Sequence, residues 1–257
     1  MNMPITEPVR LIVHPSGAAE IVIDRPERHN AMTIAMYESL LALIEECGRD
    51  PAVRCILFRG AGGKSFISGT DIGHFKDFRD GRDGVAYEAL VERVIDAVER
   101  IAVPTVAVID GWAVGGGLVL ATACDFRLCS DASRFGAPIA KTLSNTLSSR
   151  NIARLQAAFG VPRVKKMLLL ADYVAAQEAL ACGYVYEVCG QGALEQAAHT
   201  LAQRLIALSP VTQKAVKESL RRIVVEQRFD DEDLIEEVYG SARFRDAVAA
   251  FISGSSK

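Results

Sequence analysis

Trp112-Ala113-Val114-Gly115-Gly116-Gly117-Leu118-Val119-Leu120-Ala121 is the stretch on which the reading of this chain turns. Just before it, Pro104-Thr105-Val106-Ala107-Val108-Ile109-Asp110 is a short β-branched run closed by the turn signal Asp110-Gly111. Three glycines thus join a buried strand to the start of an apolar helix. Backbone N–H groups at a helix start have no intrahelical partner, and the helix dipole favours negative charge there. Two readings stay open on this segment alone: an oxyanion hole made of backbone amides, or close packing of a helix on a sheet. The spacing fits neither G-x-G-x-x-G nor a P-loop, because no Lys-Ser/Thr follows the glycines, so a nucleotide phosphate is not the expected anion.

A second segment, Lys64-Ser65-Phe66-Ile67-Ser68-Gly69-Thr70-Asp71-Ile72, follows the strand-like run 53–58 and precedes a helical stretch. Three further segments stand in order: Ile23-Asp24-Arg25-Pro26-Glu27-Arg28-His29-Asn30-Ala31-Met32, Cys124-Asp125-Phe126-Arg127-Leu128 with Phe135-Gly136, and Ala176–Val185 with Ser209-Pro210-Val211-Thr212. Together these resemble the crotonase superfamily, the enoyl-CoA hydratase/isomerase group, along nearly the whole chain. The resemblance implies an α/β fold with a repeated ββα spiral core over residues 1–200 and a helical C-terminal region over 201–257 that packs at a trimer interface. No internal sequence repeat shows this independently.

Composition narrows the class. A chain of 257 residues, half of them hydrophobic, buries one substantial core. A net charge of -3 gives no broad attraction to nucleic acid, although a local basic patch still suits a phosphorylated ligand. No apolar run has the length of a membrane span, and Met1-Asn2-Met3-Pro4-Ile5-Thr6-Glu7 lacks a basic-then-apolar leader pattern, so the expectation is a soluble, cytoplasmic protein. The cysteines at 47, 55, 124, 129, 182 and 189 form no C-x-x-C, and the four histidines are scattered. They read as buried thiols in a reducing compartment, with no metal site.

Periodicity predicts strands at Arg10–Val13 and Glu20–Asp24, a helix from Thr33 to Glu46, and an amphipathic helix from Gly84 to Ile101 with Tyr87, Val91, Val94, Ile95 and Val98 on its buried face. Beyond Phe135 the pattern is mostly helical: Arg163–Leu170, Ala176–Cys182, Ala193–Leu208 and Val211–Glu226. Asp230-Asp231-Glu232-Asp233 reads as a solvated helix start.

By the resemblance, the amides of Thr70 and Gly116 bind a thioester oxygen as it gains enolate character, and Arg28, Ala31, Ser68, Gly69, Asp71, Ile72 and Trp112 border a coenzyme A channel. Coenzyme A enters as part of the substrate, and no covalently bound cofactor is implied. Thr70 stands where the family often has Ala and alternatively is just a small residue at a turn. Arg28 meets a phosphate or is solvated surface, and Trp112 touches the pantetheine arm or is a core aromatic. Hydratases of the family carry two glutamates at positions matching Val119 and Ile139. Val119, three residues after Gly116, is expected to face the hole, yet neither Val nor Ile transfers a proton. Ordinary enoyl-CoA hydration is therefore not expected.

Two polar replacements stand nearby in sequence. His74 suits proton shuttling or faces solvent. Asn145 orients water or a carbonyl, or caps the helix running toward Leu155. The expected function is an acyl-CoA thioester-processing enzyme (lyase, isomerase or hydrolase) acting as a homotrimer or hexamer. The alternative is an acyl-CoA-binding or assembly protein that kept the fold and lost the chemistry. A serine-peptidase reading fails because no Ser–His–Asp set is assignable.

Overall fold

The computed structural model describes residues 8–190 and 192–254, so the segment read for a leader, 1–7, lies outside the described residues. In chain order the strands are β1 (Val9–Val13), β2 (Ala18–Ile23), β3 (Cys55–Gly60), β4 (Ser65–Ile67), β5 (Thr105–Ile109), β6 (Trp112–Val114), β7 (Phe126–Ser130), β8 (Arg134–Gly136), β9 (Val174–Ala175) and β10 (Glu187–Cys189). The helices are α1 (Ile34–Arg49), α2 (Gly81–Arg100), α3 (Gly116–Ala123), α4 (Ser149–Phe159), α5 (Val161–Leu169), α6 (Ala176–Ala181), α7 (Leu194–Ile206), α8 (Pro210–Arg221), α9 (Glu232–Gly240) and α10 (Ala242–Ile252).

Two sheets result, one in the order β1-β2-β3-β5-β7-β10 and a smaller one in the order β4-β6-β8-β9. Successive ββα units place their first strands (β3, β5, β7) side by side and parallel in the large sheet, and their second strands (β4, β6, β8) likewise in the small one. The spiral repeat absent from the sequence is therefore plain in the topology. It leaves no sequence trace because each turn of the spiral needs only the same element order, not the same side chains.

The large sheet is buried on both faces, which accounts for its unbroken apolar strands. With a side-chain period of two, Cys55, Leu57, Val106 and Val108 point toward Ala198, Leu201, Ala202 and Leu205 of α7. Ile56, Phe58, Ala107 and Ile109 point into the main core, with Leu40 and Ile44 of α1 and Val94, Ile95 and Val98 of α2. Thr33 caps α1, its Oγ1 accepting from Met36 N at 3.2 Å. Residue 200 falls within α7, which packs as part of the sheet layer. Beyond it, Lys217 Nζ of α8 meets Asp125 Oδ2 at 2.6 Å and Val103 O at 2.9 Å, pinning the C-terminal helices to the core. The acidic run is not merely solvated: α9 begins at Glu232, and Asp233 is paired with Arg222 at 2.7 Å. All six cysteines are unpaired, and among the described residues no helix is long and apolar enough to cross a membrane.

Candidate active site

The turn leaving β4 and the glycines after β6 meet at the edge of the small sheet. Gly69 (φ 108) and Gly115 (φ 55) both occupy backbone conformations that disfavour side chains. The two segments approach closely, a Cβ built on Gly115 lying 3.8 Å from Gly69 Cα. Gly117 has a different duty: a Cβ there would fall 2.1 Å from Ile67 O, so only Gly lets α3 dock on β4. The close-packing reading of the glycine triplet therefore holds for Gly117.

The 68–71 segment is held from the other side by the turn at 25–32. Buried Asn30 accepts from Arg25 N at 2.9 Å and donates Nδ2 to Ala61 O and Ser65 O at 2.9 and 2.7 Å. Met32 N donates to Gly69 O and Asp71 N to Met32 O, which leaves the intervening Thr70 N–H without a partner among the described residues. Gly116 N–H, in the first turn of α3, also has none there. The two residues that carry these unpaired donors border a common space.

That space is a cavity of about 630 Å³, large enough for a drug-sized ligand. Its wall includes Arg28, Ala31, Ser68, Gly69, Thr70, Asp71, Ile72, Trp112, Gly116, Ile139 and Asn145, eleven of the thirteen positions singled out from the sequence. A separate cavity of about 530 Å³ lies between α8 and the β7 region and contains neither glycine segment.

The remaining two, Val119 and His74, stand off this wall. Val119 is fully buried and does not line the cavity. Tyr37 of α1 packs against the start of α3, its hydroxyl only 2.7 Å from where a Gly116 Cβ would lie. His74 also lies off the cavity wall and packs among Phe75, Phe78 and Tyr87, ring centroids 5.2 to 6.0 Å away. Asn145 lines the cavity but caps nothing: the cap of α4 is Ser148, whose Oγ accepts from Asn151 N at 3.2 Å. Trp112 is 42% exposed, which rules out the core-aromatic reading, and meets the Tyr173 ring edge-on at 4.9 Å.

Thr70 is more than a small residue at a turn. Its Oγ1 lies 2.8 Å from Tyr37 Oη and 2.6 Å from Tyr87 Oη, a three-hydroxyl hub joining the 68–71 segment to α1 and α2. Burial raises the pKa of both tyrosines, so the hub is neutral. Tyr87 looked apolar because it sits on the buried face of α2, yet a buried Tyr hydroxyl needs a partner, and that was the available signal.

Charge is distributed unevenly around the wall. Arg25 donates to Asp71 Oδ2 at 2.7 Å and Asp71 Oδ1 accepts from Gly73 N at 3.0 Å, which holds the Asp71 carboxyl below the usual range. Arg28, at the exposed rim, has no ion-pair partner among the described residues and remains open to an anionic group. Glu88 lines the cavity too and was not singled out from the sequence, where it reads as a polar residue of an amphipathic helix. Its Oε2 accepts from Ser148 N at 2.8 Å, and burial, then the neighbouring Glu92 charge, raise its pKa.

Residues 14–253 match the family model described as enoyl-CoA hydratase/isomerase. The chain is 30% identical over 239 residues to a short-chain-enoyl-CoA hydratase of Clostridium acetobutylicum, covering 91% of this chain and 90% of that one. It is also 30% identical over 189 residues to a crotonyl-CoA hydratase of Syntrophomonas wolfei, covering 74% and 72%. A crystal structure described as an enoyl-CoA hydratase/carnithine racemase from Magnetospirillum magneticum superposes with a TM-score of 0.87 at 28% identity, over 97% of this chain and 94% of that one.

Proposed function

Since the chain belongs to the enoyl-CoA hydratase/isomerase family, we propose that it processes acyl-CoA thioesters by stabilising an enolate oxygen between the amides of Thr70 and Gly116. The single observation carrying this reading is the pair of unpaired backbone N–H groups on two residues that line one cavity. A thioester carbonyl accepting from both gains most as negative charge builds on its oxygen, because fixed donors need no reorganisation during the reaction. Loss of one such donor costs about 3 kcal/mol of transition-state stabilisation. The hydroxyl hub supports the reading by fixing the Thr70 donor from behind, and Arg28 offers an unpaired cation for the phosphates of coenzyme A.

Hydration of crotonyl-CoA is not the reaction we assign. With Val119 and Ile139 at the positions of the two family glutamates, no acid–base pair flanks the hole from α3 and the 138–147 loop. The same two residues favour the second reading, an acyl-CoA binder without turnover.

Calorimetry with an acyl-CoA and its free carboxylic acid tests the proposal. Tight binding of the thioester and far weaker binding of the acid is the expected result. Equal affinities, or no binding of the thioester, would remove the basis of the assignment.

A further inference from the structure

Two carboxyl groups line the cavity among the described residues, Asp71 and Glu88, and they differ in what they are free to do. Both Asp71 oxygens are engaged, one by Arg25 and one by Gly73 N. Glu88 has one oxygen fixed by Ser148 N at 2.8 Å, while among the described residues the other has no hydrogen-bond partner. A carboxylate anchored through one oxygen keeps its other lone pairs in a defined place for a proton.

The position of Glu88 points the same way. A neighbouring chamber of about 530 Å³, walled by Phe75, Phe78, Val85 and Tyr87, shares Glu88 with the main cavity. An acyl chain with its carbonyl in the hole and its tail in this apolar chamber passes the carboxyl on the way. The preceding residue, Tyr87, is tied to Thr70 Oγ1 at 2.6 Å, so the backbone bearing Glu88 is linked to the hole.

Resting on the acyl-CoA reading above, we propose that Glu88 is the catalytic base that moves a proton between the α and γ carbons of a bound β,γ-unsaturated acyl-CoA. The α C–H bond breaks as the Glu88 O–H bond forms, and the electron pair passes into the thioester to give an enolate oxygen held by the Thr70 and Gly116 amides. The Glu88 O–H then gives its proton to the γ carbon. The double bond moves into conjugation with the thioester, the carbonyl reforms and the carboxylate is regenerated. No atom is gained or lost, and no co-reactant is needed. Burial and the Glu92 charge make Glu88 a stronger base than Asp71, in the direction this step requires.

The test incubates the full chain with vinylacetyl-CoA in deuterated water and follows crotonyl-CoA formation and deuterium incorporation by mass spectrometry. Binding is measured separately by calorimetry. Glu88→Gln keeps an oxygen acceptor for Ser148 N and is expected to bind the thioester normally while converting it about 10²- to 10⁴-fold more slowly. Glu88→Asp keeps the acid one methylene further back and should fall between the two. Conversion by Glu88→Gln at the rate of the unaltered chain overturns the proposal, as does a Glu88→Asp variant slower than Glu88→Gln. Binding of vinylacetyl-CoA by the unaltered chain without conversion or exchange sinks the Glu88 step alone, whereas absence of binding sinks the acyl-CoA reading beneath it.

Discussion

Replacing Thr70 by Val keeps the β-branched shape and removes the hydroxyl at the centre of the hub. Tyr37 Oη loses its 2.8 Å partner and Tyr87 Oη its 2.6 Å partner. Tyr37 is 2% exposed, so water cannot take over, and an orphaned buried hydroxyl costs about 1–3 kcal/mol. Thr70→Val should therefore destabilise by about 2 kcal/mol, or very roughly 4–8 °C in Tm for a chain of this size. Tyr37→Phe removes one bond and leaves Thr70 paired with Tyr87, at a cost of about 1 kcal/mol. In the double variant the Tyr37 hydroxyl is no longer present to be stranded, so the two costs should fall short of their sum by about 1 kcal/mol. Urea unfolding of the four proteins, with equal m-values, measures each cost. A Thr70→Val protein within about 0.5 kcal/mol of the unaltered chain, or strict additivity, would refute the hub as a stabilising unit.

Crotonyl-CoA hydration by the purified protein should be about 10²- to 10⁴-fold slower than in a relative with both glutamates, and robust hydration would show that an acid–base pair has been overlooked. Val119→Glu buries an unpaired carboxylate in the core and should cost about 3 kcal/mol or more, whereas Ile139→Glu opens onto the cavity and should cost less than about 1; comparable losses in urea unfolding would contradict the placement of Val119. Arg28→Ala should weaken acyl-CoA binding roughly fivefold, with a smaller salt dependence, as expected for an exposed charge contact of about 1 kcal/mol; an unchanged salt slope would exclude a phosphate role. Glu218, hydrogen-bonded first to Arg221 and then Arg222, titrates in the folded protein at about 2 against 4.5 for the free side chain. A depressed folded value means that its contribution is complete above the unfolded value and is lost as pH falls toward about 2, so the stability gap between the unaltered chain and Glu218→Gln should close on acidification. A gap that is flat with pH would deny the interaction.

The sequence was most readable where a single segment dictates its own structure. The strand at 105–109 and the α1 and α2 periodicities are local, and the glycine triplet needs only its neighbours to be read. The hub was not readable, because Tyr37, Thr70 and Tyr87 come from three elements and meet only when α1 and α2 pack beside the hole. Glu88 escaped for a related reason: its helix shows a regular apolar stripe, and a carboxyl beside that stripe looks solvated until α4 supplies Ser148 N. Val119 shows a different limit. Spacing related it to Gly116 but said nothing of the core packing that buries it completely. The matched motifs led to the cavity, while the hydroxyl hub and Glu88 beside it came from tertiary contacts.

The polar links between α2 and α4 do more than join two helices. Glu88 receives Ser148 N, Glu92 receives Arg154 Nη1 at 2.9 Å, and Glu99 receives Arg154 Nε and Nη2 at 2.9 and 2.8 Å. Positions 88, 92 and 99 recur on one side of a helix that turns by about 100° per residue. Arg154, almost wholly buried, thus acts as a key that sets the rotational phase of α2. A slip of one residue would unlock both lower contacts at once, so the angular setting of Glu88 is enforced from about one and about three turns away.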